Sequence, residues 1–81
     1  MPKATISKSV LNTLIRAKLD KLKICDGVRP SGVHWQERDR AGNNWTIPAW
    51  EGESAVVQRC TEEMREYLRF LGEQFDIPDD A

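Results

Sequence analysis

Apolar residues recur at three- and four-residue steps in two separate stretches of the chain. The first stretch covers residues 6–23, and its apolar positions are Ile6, Val10, Leu11, Leu14, Ile15, Leu19 and Leu22. The second covers residues 54–72, with a stripe of Val57, Cys60, Met64, Tyr67, Leu68 and Leu71. This spacing is the period of a helix that buries one face. The pattern therefore predicts two amphipathic helices, the second of which could continue to Phe75.

Residues near the ends of these stretches have the chemistry of helix boundaries. A side-chain oxygen of Thr5 or Ser7 can cap the first helix, and Ser54 can cap the second. Gly27 follows the first helix and can take the left-handed conformation that ends many helices. Residues 28–32, which include a proline and a glycine, predict a turn.

The segment of residues 32–49 lies between the two helices and is predicted to form a β-hairpin. Apolar and polar residues alternate along much of this segment, which is typical of a half-buried strand. Residues 39–42 read DRAG in one-letter code. This sequence fits a type I turn and also a three-residue loop with Gly42 in the left-handed region.

The register that this loop fixes assigns the hairpin residues to two faces. Pairing of Asp39 with Asn43 places Trp35 opposite Ile47, and side chains alternate between the faces of a strand. The apolar face then comprises Val33, Trp35, Trp45, Ile47 and Ala49. The polar face comprises His34, Gln36, Arg38, Asn44 and Thr46. Trp35 and Trp45 are therefore predicted to lie in the core. The alternation places Trp50 on the polar face, which makes it a candidate anchor for a partner.

The resulting element order is helix, strand, strand, helix. The sequence therefore predicts an α+β fold of order α-β-β-α, in which an antiparallel hairpin packs against two helices in a single domain of residues 1–81. Residues 76–81 are predicted to be a frayed acidic tail. A lone two-stranded hairpin is marginal in water, and both of its edges are unpaired. Pro48 has no amide N–H to donate, so the strand that contains it cannot pair regularly with another chain. We therefore expect two chains to pair through residues 33–38 into a four-stranded sheet, as a homodimer.

The two halves of the chain carry opposite charge, although the formal net charge is only −1. Residues 1–40 hold nine Lys and Arg against four Asp and Glu, a balance of +5. Residues 41–81 hold three against nine, a balance of −6. Such halves can neutralise each other within one chain or between two chains. The balance does not resemble the overall basicity of a dedicated nucleic-acid binder.

The cysteine count and the hydropathy pattern indicate a cellular location. Two cysteines are too few for a disulfide scaffold. No stretch approaches the ~20 apolar residues of a membrane span, and residues 1–8 lack the apolar run of a signal peptide. We therefore expect a cytoplasmic protein that does not enter a membrane, in which Cys25 and Cys60 stay thiols.

Few residues in the chain have the chemistry of a catalytic or metal site. His34 is the only histidine, so a nucleophile pair would need Cys25 or Cys60 beside it. One histidine and two widely spaced cysteines lack the ligand spacing of a zinc site. The five glycines are isolated, and none builds a phosphate-binding loop. We therefore expect no catalytic residues, no cofactor and no metal.

The sequence favours a small non-enzymatic protein-binding or regulatory module that acts as a homodimer. The residues expected to contact a protein partner are His34, Gln36, Arg38, Arg40 and Trp50. One alternative is a nucleic-acid-binding protein that uses the basic first helix, through Lys8, Arg16, Lys18, Lys21 and Lys23. A more distant alternative is an enzymatic or small-ligand site around His34 and Trp50.

Overall fold

Two helices account for most of the regular structure in residues 3–79, the part of the chain that the computed structural model describes. The elements in chain order are β1 (Ala4–Thr5), α1 (Lys8–Lys21), a short 3-10 helix (Lys23–Cys25), β2 (Arg29–Pro30), β3 (His34–Trp35), β4 (Trp45–Thr46), β5 (Trp50–Glu51), α2 (Ser54–Gln74) and β6 (Phe75–Asp76). The predicted α+β class is confirmed.

The first helix, α1, buries the face that its apolar spacing predicts. Ser7 caps its start, because the Ser7 hydroxyl oxygen accepts a hydrogen bond from the Val10 amide at 3.2 Å. Leu11, Ile15 and Leu19 are buried in the core. The helix is two residues shorter at each end than the predicted range of 6–23. The left-handed residue Gly27 follows the 3-10 helix and does not cap α1 itself.

The second helix, α2, ends at Gln74, within the predicted extension towards Phe75, and buries Cys60, Met64, Leu71 and Gly72. It starts at Ser54, so Ser54 is its first helical residue and the predicted cap at this position is wrong. Glu53 occupies the cap position without a side-chain hydrogen bond, and its carbonyl accepts from the Val57 amide at 2.8 Å. The helix continues to Gln74 because its apolar stripe extends beyond Leu71 towards Phe75.

The two cysteines form a disulfide, which corrects the prediction that they stay thiols. Cys25, in the 3-10 helix, and Cys60, in α2, have Cα atoms 4.9 Å apart, within the normal range for such a bond. Both residues are buried. The bond joins the end of the first helical region to the first half of α2.

The turn of the hairpin has the predicted geometry. The Gly42 amide donates to the Asp39 carbonyl at 3.0 Å, and the Asp39 amide donates to the Asn43 carbonyl at 3.1 Å. Gly42 has a φ of +85°, in the left-handed region that a three-residue loop requires at this position. The pairing of Asp39 with Asn43 is therefore confirmed.

The strands below this turn are out of the predicted register. The Gln36 amide donates to the Asn44 carbonyl at 2.9 Å, so Glu37 and Arg38 have no residues opposite them. This two-residue bulge shifts the pairing, and Trp35 lies opposite Trp45 instead of Ile47. Trp45 is buried, with 6% of its surface exposed, whereas Trp35 is 37% exposed. The prediction that Trp45 belongs to the core is confirmed, and the same prediction for Trp35 is wrong.

Two further strand pairs lie outside the predicted hairpin. β5 pairs antiparallel with β2, a segment predicted to be a turn, and Pro30 faces Trp50. β1 pairs parallel with β6, which brings the two ends of the described chain together. Ile77 is only 1% exposed, so the predicted frayed tail is wrong for its first two residues. The last two residues of that tail lie outside the described residues.

Within residues 3–79 the sheet structure therefore consists of three two-residue pairs, and the simple order α-β-β-α does not describe it. The core is formed by Leu11, Ile15, Leu19, Cys25, Val28, Val33, Trp45, Cys60, Met64, Leu71 and Ile77. The two helices, the 3-10 helix and β4 contribute to this core, together with three residues outside these elements, Val28, Val33 and Ile77. The pairing of two chains through residues 33–38 stays a prediction.

The hairpin turn also packs directly on α2. A Cβ atom added to Gly72 would lie 2.5 Å from Oδ1 of Asn43 and 2.9 Å from its Cγ, so the Asn43 side chain would have to move. The Asn43 backbone is held in the turn, because its amide donates to the Asp39 carboxylate at 3.0 Å. Gly72 therefore gives room to the Asn43 side chain, and its own φ is not in the left-handed region.

We expect loss of the disulfide to lower the free energy of unfolding by about 4 kcal/mol, because the bond closes a loop of 35 residues in the unfolded chain. The double variant Cys25→Ala and Cys60→Ala should show this loss in a urea titration followed by tryptophan fluorescence. Reductant should lower the urea midpoint of the wild-type protein and leave the double variant unchanged. Equal wild-type midpoints with and without reductant would contradict this expectation.

We expect the effect of Gly72→Ala to change sign with the residue at position 43. Alanine gains about 1 kcal/mol over glycine inside a helix, whereas overpacking costs about 1–3 kcal/mol. The variant should therefore be destabilised when Asn43 is present and stabilised by up to about 1 kcal/mol in an Asn43→Ala background. A double-mutant cycle in urea measures both values, and additive effects would show that the contact carries no strain.

Candidate functional site

A groove of about 270 Å³ lies between the hairpin and α2. We call it the Trp50 groove, and its lining residues are Asp39, Asn43, Trp45, Thr46, Ile47, Trp50, Leu68 and Arg69. The hairpin loop, β4, β5 and the last third of α2 all contribute to it. The groove therefore depends on the packing of the hairpin against α2.

The floor of the Trp50 groove is apolar and its tryptophans are fixed in place. Trp45 is buried, and its indole N–H donates to the Phe75 carbonyl at 3.1 Å. Trp50 is half-buried against the core, and the pairing of β5 with β2 places it opposite Pro30. Ile47 and Leu68 are also half-buried there. These side chains present apolar surface that the fold covers only in part.

The rim of the groove carries two opposite charges. The Asp39 carboxylate accepts hydrogen bonds from the Asn43 amide at 3.0 Å and from the Gln36 side-chain amide at 3.1 Å. The Asn43 bond is the main cause that lowers the pKa of Asp39. Arg69 is exposed, and it forms no ion pair within the described part of the chain. The guanidinium is thus available to an external anionic group.

Of the five predicted partner-contact residues, Trp50 lines this groove. His34 is exposed and pairs with Thr46 of the neighbouring strand. Gln36 donates a hydrogen bond to the Asp39 carboxylate and therefore helps to hold the hairpin turn together. Arg40 is exposed in the loop next to Asp39.

The fifth predicted partner residue, Arg38, is engaged inside the chain. Its guanidinium binds both oxygens of Asp76, at 3.0 and 3.1 Å, and also donates to the Gly42 carbonyl at 2.6 Å. Lys3 lies 3.7 Å from the same carboxylate. The Arg38 hydrogen bond is the main cause that lowers the pKa of Asp76, and the same pair raises the pKa of Arg38. The Arg38 side chain therefore fastens the hairpin to β6, and its contact with a partner stays a prediction.

A second contact of the hairpin with the end of the chain uses a buried amide. Asn44 donates from Nδ2 to the Ile77 carbonyl at 2.8 Å, and its Oδ1 accepts from the Ile77 amide at 3.1 Å. The side chain thus pairs with backbone as a neighbouring strand would. Asn44 was predicted on the solvated face of the hairpin, and its burial corrects that prediction.

The cationic residues of the first helix do not form one continuous stripe. Lys18 lies over the Tyr67 ring, with its Nζ 5.4 Å from the ring centroid. Arg16 and Lys23 line a separate groove of about 740 Å³ at the end of α1, where Asp20 and Asp26 are also present. The remaining two members of the predicted set, Lys8 and Lys21, lie at the first and last positions of α1.

Residues of α2 in the Trp50 groove were not identified from the sequence. Leu68 is part of the predicted apolar stripe, but nothing in the spacing shows that its edge faces the hairpin. Arg69 is one of several exposed charges on the same helix. Their role depends on the rotation of α2 about its axis, which only tertiary packing determines.

No family model, no curated protein and no solved structure matches this chain. Within residues 3–79 no cluster of three or more His, Cys, Asp or Glu side chains is placed to hold a metal ion. In the same described range, neither helix combines the length and the apolar content needed to cross a bilayer.

We expect the Arg38–Asp76 pair to make stability depend on acid pH. Because the folded pKa of Asp76 is lowered, its contribution is fully present above the ordinary pKa of about 3.9 and is lost as the pH falls through the folded value. At neutral pH, Asp76→Asn should therefore lower the urea midpoint of unfolding. Below about pH 5, the midpoint of this variant should fall less steeply with decreasing pH than that of the wild type. Asp79→Asn, an exposed neighbour, is the matched control. Identical pH profiles for Asp76→Asn and the wild type would contradict the assignment.

Proposed function

We propose that this chain is a non-enzymatic protein-binding module, and that the Trp50 groove holds an apolar side chain of a partner. The observation that carries this proposal is a concave surface with an apolar floor and a charged rim. Its volume of about 270 Å³ is just below the ~300–1,000 Å³ of small-molecule sites, so it suits a single side chain better than a cofactor. Tryptophan and arginine are also the residues enriched at binding hot spots.

The charges of the rim specify the chemistry of the partner. Asp39 is already occupied by donors from its own turn, whereas Arg69 has no ion-pair partner within the described residues. An arginine gains most from a carboxylate that it can bind with two parallel hydrogen bonds. The proposed partner segment therefore carries a leucine or an aromatic residue next to an aspartate or a glutamate.

The cysteine chemistry supports binding over catalysis. A nucleophilic mechanism with His34 would need a thiolate beside it, and both cysteines are joined in a buried disulfide. The disulfide also counts against the predicted cytoplasmic location, because such bonds persist mainly in oxidising compartments. The homodimer remains part of the proposed function.

The proposed function is tested by titrating short capped peptides against the ¹⁵N-labelled protein and following the three indole N–H signals by NMR. The probes are a peptide with a central leucine between aspartates, its counterpart with a central alanine, and its counterpart with lysines in place of the aspartates. We expect the leucine–aspartate peptide to shift the Trp50 signal most strongly. Trp35 lies outside the groove and serves as the internal control.

Variants of the rim separate recognition from folding. Arg69→Glu should weaken binding of the leucine–aspartate peptide about tenfold or more, which corresponds to about 1.4 kcal/mol, while its spectrum stays folded. Arg59→Glu makes the same charge change on an exposed site of α2 outside the groove and should bind normally. No Trp50 shift up to millimolar peptide, or equal shifts with all three peptides, would overturn the proposal.

A further inference from the structure

One edge of strand β4 lies along the Trp50 groove. The groove is lined by Trp45, Thr46 and Ile47, which are consecutive in sequence, and by no residue of β3. Neighbouring side chains of a strand point to opposite faces, so a groove that contacts three residues in a row follows the edge of the strand. The edge concerned is the one turned away from β3, and we call it the outer edge of β4.

The hydrogen-bond pattern of the hairpin directs the backbone of Trp45 towards this outer edge. In an antiparallel pair of strands, residues that exchange hydrogen bonds alternate with residues that do not. The Gln36 amide donates to the Asn44 carbonyl at 2.9 Å, so the next pair, Trp35 and Trp45, is one without hydrogen bonds. The N–H and C=O groups of Trp45 therefore point away from β3.

Within residues 3–79, these two backbone groups have no hydrogen-bond partner. The bond that Trp45 makes to Phe75 uses its indole N–H. Among the described residues, none bonds to the amide or the carbonyl of Trp45, although only 6% of this residue is exposed. Because an unpaired backbone group costs free energy when it is buried, nearly all such groups in native proteins are bonded. A donor and an acceptor that stay unpaired at the wall of a groove point to a ligand with a backbone of its own.

Pro48 leaves the outer edge at Trp45 intact. It lies beyond the end of β4, and its position in the alternation is that of Thr46, which pairs with His34 of β3. The N–H that proline lacks therefore belongs to the side of β3. The block that the sequence assigns to Pro48 does not reach the backbone groups of Trp45.

We propose that the partner segment in the Trp50 groove binds as an extended strand that pairs with the outer edge of β4. The Trp45 amide donates to a carbonyl of the segment, and the Trp45 carbonyl accepts from one of its amides. A side chain opposite Trp45 then lies on the same face as the indole, over the apolar floor of the groove. The inference rests on the proposed function and adds to it the conformation of the partner.

A strand suits this site better than a helix does. An α-helix bonds its own backbone groups to each other, so a helical segment would leave the Trp45 amide and carbonyl unpaired. A strand brings a free donor and a free acceptor at matching spacing. Strand addition also divides recognition into two parts, because the main chain supplies affinity and the groove selects the side chain.

The proposal is tested first on the peptide, by methylating each backbone nitrogen of the leucine–aspartate peptide in turn. A methyl group removes one N–H and leaves every side chain in place. The peptide amide that donates to the Trp45 carbonyl should be sensitive, and its methylation should raise the dissociation constant about tenfold or more. Methylation of the amide on either side should have a small effect, because neighbouring N–H groups of a strand point in opposite directions. These two peptides are the matched controls.

Hydrogen exchange of the protein amides provides a second measurement, by NMR with and without a saturating concentration of the unmethylated peptide. The Trp45 amide should exchange at least about tenfold more slowly in the complex, because it gains an acceptor. The amides of Gln36 and Thr46 already bond within the hairpin and should change much less, so they correct for any general stabilisation by the ligand.

The outcomes distinguish this inference from the proposed function. Equal affinities for all the methylated peptides, equal losses at adjacent amides, or unchanged exchange of the Trp45 amide at saturation would overturn strand pairing. In each of these cases the shift of the Trp50 indole signal still supports a side chain in the groove. If the leucine–aspartate peptide shifts no Trp50 signal up to millimolar concentration, both the proposed function and this inference fail.

Discussion

The disulfide between Cys25 and Cys60 is the constraint on which the arrangement of the other elements depends. An 81-residue chain is near the lower size at which one apolar core suffices, and the strand pairs in this fold are only two residues long. The covalent bond fixes the end of the first helical region against α2 without requiring apolar area. The bond places the 3-10 helix that follows α1 on the first half of α2, and both cysteines belong to the core.

Hydrogen bonds from side chains to the backbone hold the hairpin and the end of the chain together, as longer paired strands do in larger proteins. Asn44 holds both polar backbone groups of Ile77, and the Trp45 indole binds the Phe75 carbonyl. Arg38 adds an ion pair to Asp76 on the same segment. Buried polar groups must be satisfied, so these bonds select one position for residues 75–77 against the hairpin. The shape of the Trp50 groove depends on this selection because Trp45 forms its floor.

Local chemistry was sufficient to predict the helices and the hairpin turn, but not the partners of each strand. The spacing of Leu11, Ile15 and Leu19 determines the buried face of α1, and Gly42 determines the turn. The bulge at Glu37 and Arg38 has no local signal, and the carboxylate that Arg38 binds belongs to Asp76, 38 residues further along the sequence. The disulfide has none either, since its formation depends on two distant segments meeting. One wrong register was enough to misplace Trp35.

The three tryptophans show why composition alone could not locate the candidate site. All three lie within sixteen residues of sequence, yet Trp45 is core, Trp35 is exposed and Trp50 is half-buried in a groove. The difference lies in what covers each ring, and the coverage comes from elements that are remote in sequence. For Trp45 this is the backbone of Phe75, whereas for Trp50 it is β2 on one side and the groove wall of α2 on the other.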